Sequence, residues 1–132
     1  MGNGTSIGKV RGLGSAHEGA HHWLLQRFTA VGNLVLALWL VTSFVLLPDM
    51  SYGTVSKWLA APIPATAMIL LIISTFWHAR LGLQVLIEDY VHNSGTKFGV
   101  ITLLNLAVIG GGAFAVFSVA RLALTPVVGG AA

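Results

Sequence analysis

Apolar residues along this chain fall in three long blocks separated by short polar stretches. The first, Phe28 to Leu47 (FTAVGNLVLALWLVTSFVLL), is stopped by Pro48-Asp49, where the proline ring cannot continue a helix. The second follows the Pro62-Ile63-Pro64 start signal and runs from Ile63 to about Tyr90, ahead of Asn93-Ser94-Gly95. The third runs from Phe98 to Ala120 and is closed by Arg121 and then Pro126. Each reaches the roughly 20 residues that carry a helix across the hydrocarbon core. The pattern predicts an all-α membrane protein with transmembrane helices at about 28–47, 63–90 and 98–120. These form an anchor over 28–121, with an N-terminal tail over 1–27 and a C-terminal tail over 122–132.

Composition agrees with the blocks. Of 132 residues, 55% are hydrophobic and 8% charged, against the roughly 25% charged residues of an ordinary soluble domain; mean hydropathy is +0.83. A chain of this size gives about one domain, and its stability must come largely from the bilayer and from packing against other helices. The formal charge is +3, but the basic residues are scattered without interleaved aromatics, which argues against nucleic acid as a partner. The absence of cysteine excludes disulfides, thiolate metal ligands and iron–sulfur clusters held by this chain.

The first 27 residues lack the apolar stretch of a signal peptide and read as a retained tail. That tail carries Lys9, Arg11 and Arg27, the segment between the second and third blocks carries Lys97, and residues 48–62 carry only Lys57. By the positive-inside rule the N-terminus and second loop face the cytoplasm, or the matrix of a mitochondrion, and the C-terminus faces the opposite, periplasmic side. Trp23, Trp39, Trp58 and Tyr52 fall near the expected span ends; Trp77 does not.

Small residues mark two helices: Ala30, Gly32 and Ala37 in the first, and Gly110-Gly111-Gly112, Ala113 and Ala115 in the third. They allow either close helix–helix packing or close approach of a bulky planar group.

The groups with chemistry cluster in Thr75 to His92, TFWHARLGLQVLIEDYVH. A charge at the centre of a span costs roughly 2.5–3.5 kcal/mol on insertion scales, so buried polar groups need a partner or a purpose. His78 lies deepest, and its position alone fits either a structural hydrogen bond or a ligand role. Asp89 lies eleven steps further along the chain; at about 100° per residue the two share a face to within about 20° and stand about 16–17 Å apart along the axis. Gly82 and Val85 lie between them, offering a smooth strip on which something flat could rest. A mid-membrane imidazole beside such a strip suits haem, whose iron takes axial histidines. His17, His21, His22 and His92 all fall in the tail or the second loop, so a second buried imidazole must come from a partner chain. Arg27, at the expected start of the first helix, fits snorkelling to lipid phosphate or pairing with a carboxylate. Arg80 reads as a snorkelling or paired charge, and Glu88, Asp89 and Tyr90 also fit an ordinary wet helix end.

The spacing HARLGLQVLIEDY (His78 to Tyr90) and the stretch GSAHEGAHHWLLQRFTAV (Gly14 to Val31), together with length and three-span layout, resemble the hydrophobic membrane-anchor subunits of succinate dehydrogenase, in their alphaproteobacterial and mitochondrial form. The resemblance covers nearly the whole chain. It implies that His78 is an axial ligand of haem b, with the other histidine on a companion cytochrome b556-type anchor subunit. It further implies that Tyr90 hydrogen-bonds a ubiquinone carbonyl, that Asp89 belongs to the adjacent polar network, and that Arg27 lies near the haem propionates. The implied partners are a flavoprotein subunit carrying FAD and an iron–sulfur subunit, docked on the cytoplasmic face of a bacterial inner membrane. Two rival readings are a structural small subunit without a redox role and the anchor of a fumarate reductase working in the opposite direction.

Overall fold

A computed structural model describes residues 16–125, with side chains from residue 20 onward. The described residues form four helices and no strand: α1 (Ala16–Val45), α2 (Tyr52–Leu59), α3 (Pro62–Tyr90) and α4 (Ser94–Leu124). Three of them, over Ala20–Val45, Pro62–Tyr90 and Ser94–Leu124, are long and apolar enough to cross a membrane. At 1.5 Å per residue each of the long helices runs about 45 Å, which is the bilayer with its headgroup layers rather than the hydrocarbon core alone.

The boundaries differ from the apolar blocks for local reasons. The helix α1 starts at Ala16 rather than Phe28, so His21, His22 and Arg27 are helical residues, not members of an irregular tail. Arg27 therefore sits three turns into α1 rather than at its start. The helix α4 starts at Ser94 because Asn93 caps it, its Oδ1 accepting from the backbone N–H groups of Gly95 at 3.0 Å and Thr96 at 3.2 Å. It continues past Ala120 to Leu124, placing Arg121 in the last turn, where a cation complements the helix dipole.

The helix α2 lies in a stretch that reads as a loop. Ser51 caps it, its Oγ accepting from Thr54 N–H at 3.3 Å, and Val55, Trp58 and Leu59 put apolar groups on one side at i, i+3 and i+4. Trp58 stacks on Trp39 of α1, with centroids 5.7 Å apart and planes at 26°, and meets the Phe44 ring edge-on at 5.4 Å. This aromatic cluster ties the surface helix to the end of α1.

The helix α3 is the middle of the assembly. It packs against α1 on one side and α4 on the other, while α1 and α4 do not meet among the described residues. Small residues set both approaches. A side chain at Gly111 would come within 2.9 Å of the Phe76 ring, and one at Gly112 within 3.6 Å, so this part of the glycine run of α4 receives a side chain from α3. On the α1 side, Gly32 leaves room for Ser74, whose Oγ would stand 3.6 Å from a Cβ there.

Only Leu59, Ala65, Leu81, Ile87 and Val119 are buried hydrophobic residues among those described. Phe28, Phe98 and Phe114 are each at least 74% exposed. A chain this apolar with so little enclosed core must be covered by lipid and by other helices.

Candidate functional site

The antiparallel seam between α1 and α3 carries the deepest polar contacts. Ser74 donates to the Thr29 carbonyl at 3.4 Å, the Thr29 hydroxyl meets His78 Nδ1 at 3.0 Å, and Gly82 faces Gln26, whose Nε2 would lie 3.7 Å from a Cβ. Positions 74, 78 and 82 recur every helical turn on α3, and 32, 29 and 26 descend α1 in step. The strip beside His78 that reads as open in the sequence is thus occupied in part: at Gly82 it accommodates α1 rather than a flat ligand.

His78 itself stands at the edge of this seam, half-buried. With Trp23, Gln26, Arg27, Ala30 and Val31 it lines an open cavity of about 420 Å³, within the size range of small-molecule sites. The structure therefore brings two expected site residues, His78 and Arg27, to one cavity. The Arg27 guanidinium lies 4.5 Å from the Trp23 ring centroid, a cation–π contact that steadies an exposed charge. Thr29 holds one imidazole nitrogen of His78, and Nε2 makes no hydrogen bond among the described residues. A haem fits this donor set: one nitrogen ligand, a cation beside it, and apolar walls. Among the described residues no three His, Asp or Glu side chains converge as a bare metal ion would require.

Asp89 and Tyr90 are at a different level. Both are exposed at the C-terminal end of α3, and neither lines the cavity that holds His78. Around them, Gln84 donates to Glu88 Oε1 at 2.9 Å, Lys97 at the start of α4 donates to the Glu88 carbonyl at 3.0 Å, and His92 Nδ1 donates to the Tyr90 carbonyl at 3.2 Å. The Lys97 and His92 bonds satisfy backbone carbonyls that a helix end leaves open. Among the described residues neither the Tyr90 hydroxyl nor the Asp89 carboxylate has a hydrogen-bond partner.

Arg80 and Trp77 gain roles that the sequence leaves open. Arg80 Nε donates to Asn105 Oδ1 of α4 at 2.6 Å, and its guanidinium carbon lies 5.4 Å from the Trp77 centroid. Two residues along a helix turn about 200°, so Arg80 projects away from His78. There it lines a second cleft of about 650 Å³ with His21, His22, Leu25, Trp77, Leu81 and Gln84. His22 Nε2 is buried without a hydrogen-bond partner among the described residues.

Thr29, Gln26 and Asn105 escape a reading of the sequence. Each is a polar residue in an apolar run, and its meaning depends on which helix it faces. The one signal they carry is that Thr29 and Asn105 are neutral hydrogen-bonding groups inside spans, where such groups join helices.

Comparison with known proteins adds an independent line. The sequence model of a family described as succinate dehydrogenase/fumarate reductase transmembrane subunit matches residues 1–119. A succinate dehydrogenase hydrophobic membrane anchor subunit from Rickettsia bellii (strain RML369-C) is 42% identical over 88 residues, covering 66% of this chain and 70% of the relative. The protein of the same description from Paracoccus denitrificans is 32% identical over 122 residues, covering 90% and 92%. A succinate dehydrogenase membrane anchor subunit from Reclinomonas americana is 33% identical over 95 residues, covering 70% and 79%.

Proposed function

The chain belongs to the succinate dehydrogenase/fumarate reductase transmembrane subunit family, and we propose that it serves both a haem and a quinone, at two levels of one helix. It is a membrane anchor subunit of succinate dehydrogenase. In this reading His78 Nε2 would hold the iron of haem b, with a second imidazole supplied by the companion cytochrome b556-type anchor. Arg27, on the wall of the same cavity, neutralises the propionates. Tyr90 donates a hydrogen bond to a ubiquinone carbonyl, and Asp89 keeps the adjacent network polar and open to water. The observation that carries the reading is that His78 and Arg27, far apart in sequence, share one cavity while His78 Nε2 stays unengaged.

Haem, when bound, supplies a one-electron centre within the low-dielectric span. The chain's own residues do the rest. Ubiquinone takes two protons with its two electrons, so a phenol and a carboxylate at the wet end of α3 can position the carbonyl and connect it to solvent. The seam that fixes His78 also fixes the register of α3, and hence where Asp89 and Tyr90 emerge. The flavoprotein and iron–sulfur subunits dock on the side where α1 begins and α3 ends, which by the charge bias is the cytoplasmic face of a bacterial inner membrane. The electron donor then stands next to Tyr90.

The test is purification of the whole complex in mild detergent, with and without His78→Ala. The optical spectrum should show haem b in the parent complex and lose it in the variant. A parent complex without haem absorbance would favour a purely structural subunit, and an unchanged spectrum in the variant would refute the ligand role.

A further inference from the structure

We propose that Thr29 is a positioning residue for His78: its hydroxyl accepts a hydrogen bond from Nδ1–H, fixes the ring tautomer with Nε2 as the unprotonated nitrogen, and raises the donor strength of Nε2 toward iron. The inference rests on the haem-ligand reading above and deepens it.

Three neighbours compete for one hydroxyl hydrogen. The Thr29 oxygen lies 2.8 Å from the Leu25 carbonyl oxygen, 3.1 Å from the Gln26 carbonyl oxygen and 3.0 Å from His78 Nδ1. A hydroxyl has a single proton to give and two lone pairs with which to accept. If that proton went to the imidazole, two carbonyl oxygens would face the Thr29 oxygen at hydrogen-bond distance with no hydrogen between them. If it goes to Leu25, the usual back-bond of a helical threonine to the i−4 carbonyl, the contact with His78 requires the proton to be on Nδ1. The hydrogen-bond network thus assigns the tautomer, and in the neutral ring only Nε2 is left as a lone-pair donor.

The position of Thr29 is itself held. Its backbone carbonyl accepts from Ser74 Oγ at 3.4 Å, one turn before His78. Gly32, one turn further along α1, provides the clearance for Ser74. A group that hydrogen-bonds the far nitrogen of a ligating imidazole orients the ring and makes it a better electron donor, which favours the more highly charged ferric state. The bond runs between two spans, where water does not compete for it.

The test uses the purified complex carrying Thr29→Val, Thr29→Ser or His78→Ala, with the haem titrated potentiometrically and followed by its optical spectrum. Valine keeps the shape of threonine and removes the acceptor. At the parent midpoint, Thr29→Val should raise the ferrous-to-ferric ratio about 2- to 10-fold, the range for loss of one hydrogen bond, and Thr29→Ser should restore the parent titration. Loss of haem from Thr29→Val with retention and a parent-like titration in Thr29→Ser supports the proposal equally. A parent-like titration in Thr29→Val, or the same shift or loss in Thr29→Ser, overturns it. Retention of the haem spectrum in His78→Ala overturns the ligand reading itself, so the two failures are distinguishable.

Discussion

The His78 and Tyr90 levels of α3 are three helical turns apart and are prepared in opposite ways. At His78 the chain supplies its own support: the Thr29 hydroxyl at 3.0 Å, Gln26 against Gly82, and Arg27 on the wall of a shared cavity. At the other end Tyr90 is 77% exposed, and the bonds around it serve the helix terminus rather than its hydroxyl. A ligand held at the first level finds one side of its site already built. A ligand at the second finds a single donor on a wet edge, so its pocket must be completed by other subunits. One helix therefore carries one level whose near side this chain builds itself and another whose surroundings other subunits must supply.

The most decisive substitution is at His78. His78→Ala should abolish haem b absorbance of the purified complex outright; a retained spectrum would place the ligand elsewhere. Tyr90→Phe should be smaller and separable. Removing one hydrogen bond to the quinone should slow succinate-dependent quinone reduction about tenfold, leaving both the haem spectrum and succinate oxidation by a soluble artificial acceptor unchanged. Equal loss of the two activities would mean that Tyr90 acts on assembly instead.

The far side of α3 offers a third, independent face. Asn105→Leu leaves Arg80 Nε without its partner inside the span and should destabilise the complex by about 1–3 kcal/mol, seen as a lower thermal unfolding midpoint. The haem spectrum should not change, because Arg80 projects away from His78. A spectral change would show that the two faces of α3 are coupled.

The smallest effect belongs to the surface opposite Tyr90. The hydroxyl and then the backbone N–H of Ser51, followed by the Thr54 hydroxyl, hold the Asp49 carboxyl below its ordinary value. Since the folded value lies below the unfolded one, this contribution is present above the ordinary carboxylate range and disappears as pH falls through the lowered value. Asp49→Asn should slightly flatten the acid side of the stability–pH profile, measured by thermal unfolding, without touching the haem or quinone readouts.

Much of this architecture is legible from patterning, and the gaps have physical causes. Long apolar blocks ended by Pro48-Asp49 and Asn93-Ser94-Gly95 locate three spans, because lipid imposes the same requirement on every spanning helix. The start of α1 at Ala16 is hidden because His21, His22 and Gln26 are polar without being helix breakers. The helix α2 is short, and its signal is limited to the Ser51 cap and three apolar positions. The spacing of His78 and Asp89 marks both levels of α3, but Thr29 and Asn105 become meaningful only once the helices are in register, since a lone hydroxyl or amide in a span does not say which neighbour it meets. Arg80 is the instructive case: its cost in the membrane is evident from the sequence, yet the Asn105 and Trp77 contacts depend on how α3 faces α4.

The arrangement of α3 as a middle helix, with α1 and α4 out of mutual contact among the described residues, also bears on how the cell must handle the chain. With five buried hydrophobic residues among those described, folding free energy comes mainly from association with other helices, and such energy depends on how much partner is present. The level of this subunit should accordingly rise and fall with that of its companions. Copies made in excess would leave the exposed Arg27 charge and the half-buried His78 facing lipid, and a membrane protease would meet them before they found a place in the complex.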